Sequence, residues 1–491
     1  MIQRTPVRLG AALLAAVLVL SAHPAGADTP LSGPLDLPSP PATPPAPPPS
    51  PTPVPQDLVG LLDALQRYPQ TRPRATVGVT AIDDAGTTLT ARGAHRSLLP
   101  ASTMKLVTAA AALRLFGADH RFVTRVYATV EPDPAGVIDG DLVIVGGGDP
   151  VLATPTFRQR VYSTRPATPL SGLAGRIARR GVTHVTGRVL GDPSLLADQP
   201  LAAGWPPTYL ETLDTTRSSG LTVDAGLRLF RRSGTLRAAA AADPAQRTAR
   251  ERRRLLRRRD VRIDGAAGST STPPAGVEIA RITSPPLDTL LAHMLRFSDN
   301  HLADAVFRML GAATGEPTWR GSARAVRATL VDLDVRWNEL RLADGSGLSR
   351  GNRLTADALV RLLDAMADGP QRDRWLRLLP VAGRSGTLAG RLRDTPAQGR
   401  VHAKTGTLRD VRALAGTIPG RDGDDHHLAV LVNDLDGAAD IAAARRLSNV
   451  LSLALAVAQD GCGGPLVIDE PDSRIRDLPE RRICRVQRAR K

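Results

Sequence analysis

Twenty-six residues near the N-terminus, Pro30 to Pro55, hold 13 prolines. Proline locks φ and has no N–H to donate, so such a stretch can enter neither a helix nor a sheet. It runs as an extended polyproline-type spacer instead. The chain is therefore divided before any other residue is read: a leader over 1–27, a proline-rich linker over 28–57, a folded body beginning near Leu58, and a tail over 459–491. A spacer of this kind suits a body held away from a membrane or threaded into a meshwork. The plainer role is a leader that only aids solubility.

The leader carries Arg4 and Arg8, an apolar run from Leu9 to Leu20, and an Ala25-Gly26-Ala27 cleavage pattern. That is the layout of a secretory signal peptide, and the run is well short of the roughly 20 residues a membrane span needs. No cysteine lies near the cleavage site, so a lipid anchor is not indicated. The alanine-rich segment Gly437 to Ala458 is interrupted by Asp440, Arg445 and Arg446. The expectation is an exported protein, extracytoplasmic and wall-associated or secreted, with no stable membrane span after processing. Export permits disulfides, and the two cysteines, Cys462 and Cys484, are expected to bridge and close a short tail loop.

A net charge of +16 raises the question of nucleic acid. The cationic residues are spread along the whole chain, and 4 Trp, 4 Tyr and 6 Phe offer little to stack on bases, so a nucleic-acid partner is not expected. The densest cationic run, Arg252 to Arg259, reads as a helix with a solvated charged face. Outside a membrane, the anionic partners left are wall polymers, attracted without specificity.

The lysines are more telling. Lysine and arginine total 64, yet lysine occurs three times, at Lys105, Lys404 and the terminal Lys491. Arginine stays protonated in proteins, whereas a buried lysine can fall by up to about 3–5 pKa units and act as a base. Lys105 closes Ser102-Thr103-Met104-Lys105 at the start of a predicted helix. Serine and lysine at this spacing share one face of the first turn, with the amine in reach of the hydroxyl. By itself that pair is as consistent with an N-cap and a surface charge. Packed under a cleft floor, Lys105 would deprotonate Ser102 and create a nucleophile.

Lys404-Thr405-Gly406, followed by Thr407, falls in a strand-like segment, where the glycine would let a substrate backbone lie close and the lysine and threonine would hold an anion. Ser298-Asp299-Asn300 interrupts a helical stretch; among five asparagines, Asn300 alone has serine two positions earlier. Other motifs are discounted. Gly347-Leu348-Ser349-Arg350-Gly351 fits a nucleophile elbow but lacks a preceding buried strand. Gly146-Gly147-Gly148-Asp149-Pro150 lacks the lysine of a phosphate loop. His426-His427 has no third ligand at metal spacing and reads as a solvated loop.

Coarse patterning places a strand at Thr76 to Ile82, a turn at Asp83 to Gly86 and a second strand after it. A helix follows from Ser102 to Phe116, stopped by Gly117. A stretch rich in glycine and proline breaks, 121–284, reads as an inserted, mainly β region between body segments 58–120 and 285–458. A strand pair, Val401 to Ile418 and His427 to Asn433, precedes a helix at Gly437 to Ala458. Strands at both ends of the body suggest one sheet assembled from distant parts of the chain.

Ser-x-x-Lys, Ser-Asp-Asn and Lys-Thr-Gly, in this order, are the signature of penicillin-binding proteins and class A β-lactamases. With Leu142 to Pro150, Asp344 to Arg350 and Gly383 to Leu388 added, the chain from Leu58 to Ala458 resembles the D-alanyl-D-alanine carboxypeptidase/endopeptidases, the class C low-molecular-mass penicillin-binding proteins. Members carry inserts between the first two motifs, and here Ser102 and Ser298 are 196 residues apart. The resemblance implies an α/β (α+β) fold of the serine β-lactamase/transpeptidase type, an antiparallel sheet flanked by helices. It implies no cofactor and no metal, peptidoglycan stem peptides as substrate and β-lactams as inhibitors. Ser102 would be the nucleophile, Lys105 its base and Ser298 a proton shuttle. Asn300 would hold the substrate amide, Lys404 and Thr405 the terminal carboxylate, and the N–H groups of Ser102 and Thr407 an oxyanion. Residues Thr215 to Gln246 fit the family poorly, which leaves the role of the insert open. A secreted serine β-lactamase and a non-catalytic wall-binding protein are the alternatives.

Overall fold

Valines alternate in Thr76–Ile82, and the strand they form is buried on both faces, which only a central strand of a covered sheet can be. The computed structural model describes residues 74–459 apart from 162, 163, 273, 421 and 422. The leader, the spacer and both tail cysteines lie outside the described residues. In chain order the main elements are β1 (Thr76–Ile82), β2 (Thr88–Arg92), α1 (Met104–Phe116), β3 (Val123–Ala128), β4 (Leu142–Val145), α2 (Leu170–Arg179), β5 (Val189–Asp192), α3 (Pro244–Arg257), β6 (Ala267–Ser269) and β7 (Val277–Thr283). There follow α4 (Leu287–Phe297), α5 (Asn300–Ala313), α6 (Trp319–Thr329), α7 (Ala356–Ala367), β8 (His402–Leu408), β9 (Val411–Ile418), β10 (His426–Asn433) and α8 (Gly437–Ala458).

The principal sheet has the order β8-β9-β10-β1-β2 and is antiparallel throughout. The two ends of the body meet where β1 pairs with β10, Thr76 opposite Asn433 and Ile82 opposite His427. Side chains alternate between two cores, as the period of a strand demands. Ala413, Ala415, Ala429 and Leu431 pack with α1, α4, α5 and α7. Leu414, Leu428, Val430 and Val432 pack with Ala444, Leu447, Leu451 and Leu455 of α8. The small residues on the first face let α1 approach closely, itself buried from Met104 to Ala112. Gly117, at φ 79, ends that helix. Helix α8 is long and apolar enough to cross a membrane, but its Leu447-Leu451-Leu455 stripe lies on the sheet.

Between α1 and α4 a second sheet forms in the order β6-β5-β4-β3-β7, parallel at β6-β5 and β5-β4 and antiparallel beyond. Its core joins Val126, Ile144 and Val189 to Leu173 and Ile177 of α2 and to Ala249 and Leu256 of α3.

Two local expectations are corrected. Arg252 is fully buried rather than solvated, because it shares the inward face of α3 with Ala245, Ala249 and Leu256. Its Nη1 donates to the Leu170 carbonyl at 3.2 Å. Burial, with Arg259 adding repulsion, pulls its guanidinium down to about 9. His426 and His427 do not form a solvated loop; they open β10, covered by strands on both sides, and both are buried. The His427 Nδ1 meets Thr417 Oγ1 at 3.0 Å, and burial pulls the ring down to about 4.

Candidate active site

Ser102 sits in the 3-10 turn Ala101–Thr103 that leads into α1. Ala101 adopts φ 46, a left-handed conformation costing an alanine about 1 kcal/mol or more. The turn is held there by two close approaches. A Cβ on Gly347, itself at φ +85, would fall 1.8 Å from the Ala101 carbonyl oxygen. One on Gly406 would lie 2.8 Å from the Pro100 oxygen and 2.9 Å from Ala413 Cβ. The glycine of the third motif thus admits the Ser102 turn against β8, a packing role in addition to the expected one toward a substrate backbone.

Lys105 is fully buried, and its Nζ lies 2.9 Å from Ser102 Oγ, 2.8 Å from Asn300 Oδ1 and 2.7 Å from the Ser346 carbonyl oxygen. A neutral amine has two N–H groups and one lone pair. The two carbonyl oxygens can only accept, so they take both N–H groups and leave the lone pair facing the Ser102 hydroxyl. Burial lowers Lys105 to about 8, against the opposing pull of Asp304, Asp344 and Asp299. The amine is thus poised near neutral pH.

The second motif lies between two helices. α4 ends at Ser298, left-handed at φ 59, and Asp299 caps α5 by accepting the Leu302 N–H at 3.0 Å. Asn300 opens α5, and its Nδ2 donates to the Asp214 carbonyl at 2.8 Å, which fixes which amide atom faces Lys105. Ser298 Oγ accepts from Lys404 Nζ at 3.0 Å, and the same nitrogen donates to the Thr405 carbonyl at 2.8 Å. Lys404 is lowered well below its ordinary value by burial and then by the nearby Lys105. Two ammonium groups cannot both sit in this dry space cheaply.

The third motif runs along β8, an edge strand. Ala403 donates its N–H outward to the Pro380 carbonyl at 3.0 Å. Backbone polar groups alternate along a strand, so those of Thr405 and Thr407 face the same open edge. Thr407 is exposed, and Thr405 Oγ1 donates to Thr387 Oγ1 at 2.9 Å. The structure therefore forms two hydrogen-bonded groups, Lys105 with Ser102 and Asn300 and Lys404 with Ser298, close enough for the two lysines to repel, beside an edge strand open to an extended peptide.

Sequence reasoning missed the supports of this cluster. Asp304, one turn after Asn300 on α5, accepts the N–H groups of Gly345 at 3.0 Å and Ser346 at 2.9 Å, which aims the Ser346 carbonyl at Lys105. Burial and the neighbouring Asp344 push the Asp304 carboxyl well above its usual range. Asp344 accepts from the Gly347 N–H at 2.7 Å, the Ser349 N–H at 2.6 Å, Trp205 Nε1 at 2.7 Å and Asn352 Nδ2 at 2.7 Å. Ser349 is buried inside this loop, which accords with discounting it as a nucleophile. The run Asp344-Gly345-Ser346-Gly347 was visible as a family-like stretch; Asp304 left no signal beyond a lone acid on an apolar helix. Among the described residues no group of three or more His, Cys, Asp or Glu is placed to hold a metal ion.

A covered antiparallel sheet with the Ser-x-x-Lys turn against its edge strand gives the chain a fold of the penicillin-binding protein type. Residues 61–233 and 230–452 match the model of the D-Ala-D-Ala carboxypeptidase 3 (S13) family, and the chain belongs to that family. It is 33% identical over 437 residues to a D-alanyl-D-alanine carboxypeptidase of an Actinomadura species, covering 74% of this chain and 78% of the relative. To the carboxypeptidase DacB of Mycolicibacterium smegmatis it is 32% identical, over 72% of this chain and 75% of that one. In fold it resembles penicillin binding protein 4 of Haemophilus influenzae at a TM-score of 0.68 and 22% identity, covering 80% of this chain and all of the other. A second structure of that protein, complexed with a β-lactam, gives a TM-score of 0.64 at 22% identity and the same coverage.

Proposed function

We propose that this chain is a serine-type D-alanyl-D-alanine carboxypeptidase/endopeptidase acting on peptidoglycan stem peptides through an acyl-enzyme. The observation that carries the reading is the buried Lys105 amine, 2.9 Å from Ser102 Oγ with both its N–H groups directed to carbonyl oxygens. A lysine so placed can only serve the serine as acceptor, and the ordinary arginine of this chain could not replace it. Family membership and the named carboxypeptidase relatives support the substrate class.

In the mechanism, Lys105 takes the Ser102 proton as Oγ attacks the carbonyl carbon of the penultimate D-alanine. The oxyanion is met by the N–H groups of Ser102 and Thr407, each such donor contributing about 3–4 kcal/mol in related chemistry. The proton Lys105 took from Ser102 is balanced by one that Ser298 relays to the departing amine, so that Lys105 is neutral again, while Lys404 keeps its charge and orients the Ser298 hydroxyl at 3.0 Å. The C–N bond breaks, D-alanine leaves, and the Ser102 ester remains. Water then attacks the ester and releases the shortened peptide. A substrate carboxylate beside Lys404 and Thr405 stabilises the Lys404 ammonium, whose charge in turn disfavours protonation of Lys105. Asn300 holds the substrate amide along β8.

The catalytic body comprises 58–120 and 285–458, split by the insert 121–284, and the leader and spacer direct it outside the cytoplasmic membrane. β-Lactams inhibit by forming a slowly hydrolysed ester on Ser102. Benzylpenicillin in excess is expected to add its mass to the wild-type protein and not to Ser102→Ala. Rapid loss of the adduct with hydrolysed drug would assign a β-lactamase instead, and a folded wild type without adduct would leave a wall-binding role.

A further inference from the structure

Three consecutive residues, Asp299 and Asn300 of the second motif and His301 after it, are each held by a residue of the inserted region. Arg165 pairs with Asp299 at 3.0 Å, both side chains nearly buried. The Asp214 carbonyl accepts from Asn300 Nδ2 at 2.8 Å. Thr216 Oγ1 meets His301 Nδ1 at 2.9 Å. Burial pushes the Asp299 carboxyl up, but Arg165 and His293 outweigh it and hold the group well below the usual carboxylate range.

The Thr216 contact has a defined direction. Its single hydroxyl proton goes to the Ala225 carbonyl at 2.8 Å, so the oxygen accepts from His301 Nδ1–H. His301 is neutral near pH 7, lowered to about 4 by burial and by Arg165. The chain of contacts continues inward. Asp224 and Ala225 are left-handed, at φ 56 and φ 54. Asp224 accepts from the Thr154 N–H at 2.7 Å and Oγ1 at 3.0 Å, and pairs with Arg247 of α3 at 2.9 Å. The second motif is thereby anchored through Thr216 and residues 224–225 to the helix that packs on the second sheet.

We propose that the inserted region is the positioning element of the active site, acting through Thr216 and Arg165 to set where Asn300 Oδ1 stands relative to Lys105. Asn300 is one of the two acceptors that turn the Lys105 lone pair toward Ser102, so a shift of α5's first turn removes that constraint. Thr216 and Arg165 touch no reacting atom; they are positioning residues. The segment 215–246, expected to fit the family poorly yet spanned by the family model, supplies this anchor. The inference rests on the acyl-enzyme reading.

The test uses the full chain with Thr216→Val, a near-isosteric change that deletes both hydrogen bonds of the hydroxyl. The expected result is a fall of about tenfold or more in the second-order rate of acylation by benzylpenicillin, together with a lower unfolding temperature from the unpaired His301 N–H and Ala225 carbonyl, so that the pH profile and not stability decides. The acid limb of the pH–rate profile should move to lower pH, because the displaced Asn300 carbonyl also stabilises the Lys105 ammonium. Thr216→Ser should restore both rate and limb. A purely structural role would lower the unfolding temperature and leave the limb in place. Should Thr216→Val fail to fold, Arg165→Lys against Arg165→Met gives the same comparison at Asp299. Wild-type rate and pH profile in Thr216→Val, or in Arg165→Met where that variant is the one measured, would overturn the inference while wild-type acylation continued to support the functional reading. Absence of acylation in the wild type would overturn the reading itself.

Discussion

Lowering the pH from 8 to 6 is expected to slow acylation of Ser102 about 50-fold. The active form of Lys105 is the neutral amine, and burial sets its pKa at about 8. About half the molecules therefore carry the amine at pH 8 and about one in a hundred at pH 6, and the rate follows that fraction. The limb is acidic: activity rises with pH, by about tenfold per unit well below 8, and levels above it. An unperturbed lysine near 10.4 would put the limb more than two units higher, and a histidine base near 6.5 would put it lower. The assay is time-resolved intact mass with benzylpenicillin in excess from pH 5.5 to 9, with circular dichroism at each point to show that the fold persists. Lys105→Arg, always protonated, should lose the limb and fall by about 100- to 10,000-fold. A rate flat from pH 8 to 6 on folded protein, or wild-type rates in Lys105→Arg, would refute the argument.

Gly406→Ala places a methyl 2.8 Å from the Pro100 oxygen and 2.9 Å from Ala413 Cβ, so it should cost about 1–3 kcal/mol in thermal unfolding and slow acylation by lifting β8 from the Ser102 turn. Asn352→Ala removes the Nδ2 donor to Asp344 and the Oδ1 acceptor of the Ala343 N–H at 2.7 Å; the lost buried bond and the unpaired Ala343 N–H should destabilise by about 1–3 kcal/mol in denaturant titration. Lys404→Ala should slow release of D-alanine from a D-Ala-D-Ala peptide about tenfold to a hundredfold, and should slow the carboxyl-esterified peptide less. Equal losses on both peptides would argue against a carboxylate at Lys404. Thiol titration under denaturing conditions should find no free thiol in Cys462 and Cys484 until reductant is added.

Local signals in the chain reach a long way. Alternating valines and the Gly117 stop place β1 and α1, Leu142–Val145 is a strand as its four apolar residues predict, and the 22-residue Gly437–Ala458 helix has the predicted limits. The same local chemistry marks Ser102, Lys105, Ser298, Asn300 and Lys404 as unusual, because rare lysines in short motifs can be read one segment at a time. What these signals lack is the third dimension. Arg252 and His426-His427 look solvated in sequence and are buried, since which face of a helix or strand is covered depends on what packs against it. Asp304 and Thr216 carry no local mark at all. Their roles exist only because α5 turns one face toward Lys105 and the other toward the insert.

The sequence by itself thus determined most element types, the candidate reactive residues and the family, all properties of short windows. Only the tertiary structure decided that Lys105 has two carbonyl acceptors and one serine around it, and that Gly406 yields to the Ser102 turn. It alone shows the insert holding the second motif. Those are distances between residues as far as 306 positions apart in the chain, Pro100 and Gly406 (406 − 100 = 306), set by packing two cores against one sheet, and no local periodicity encodes them.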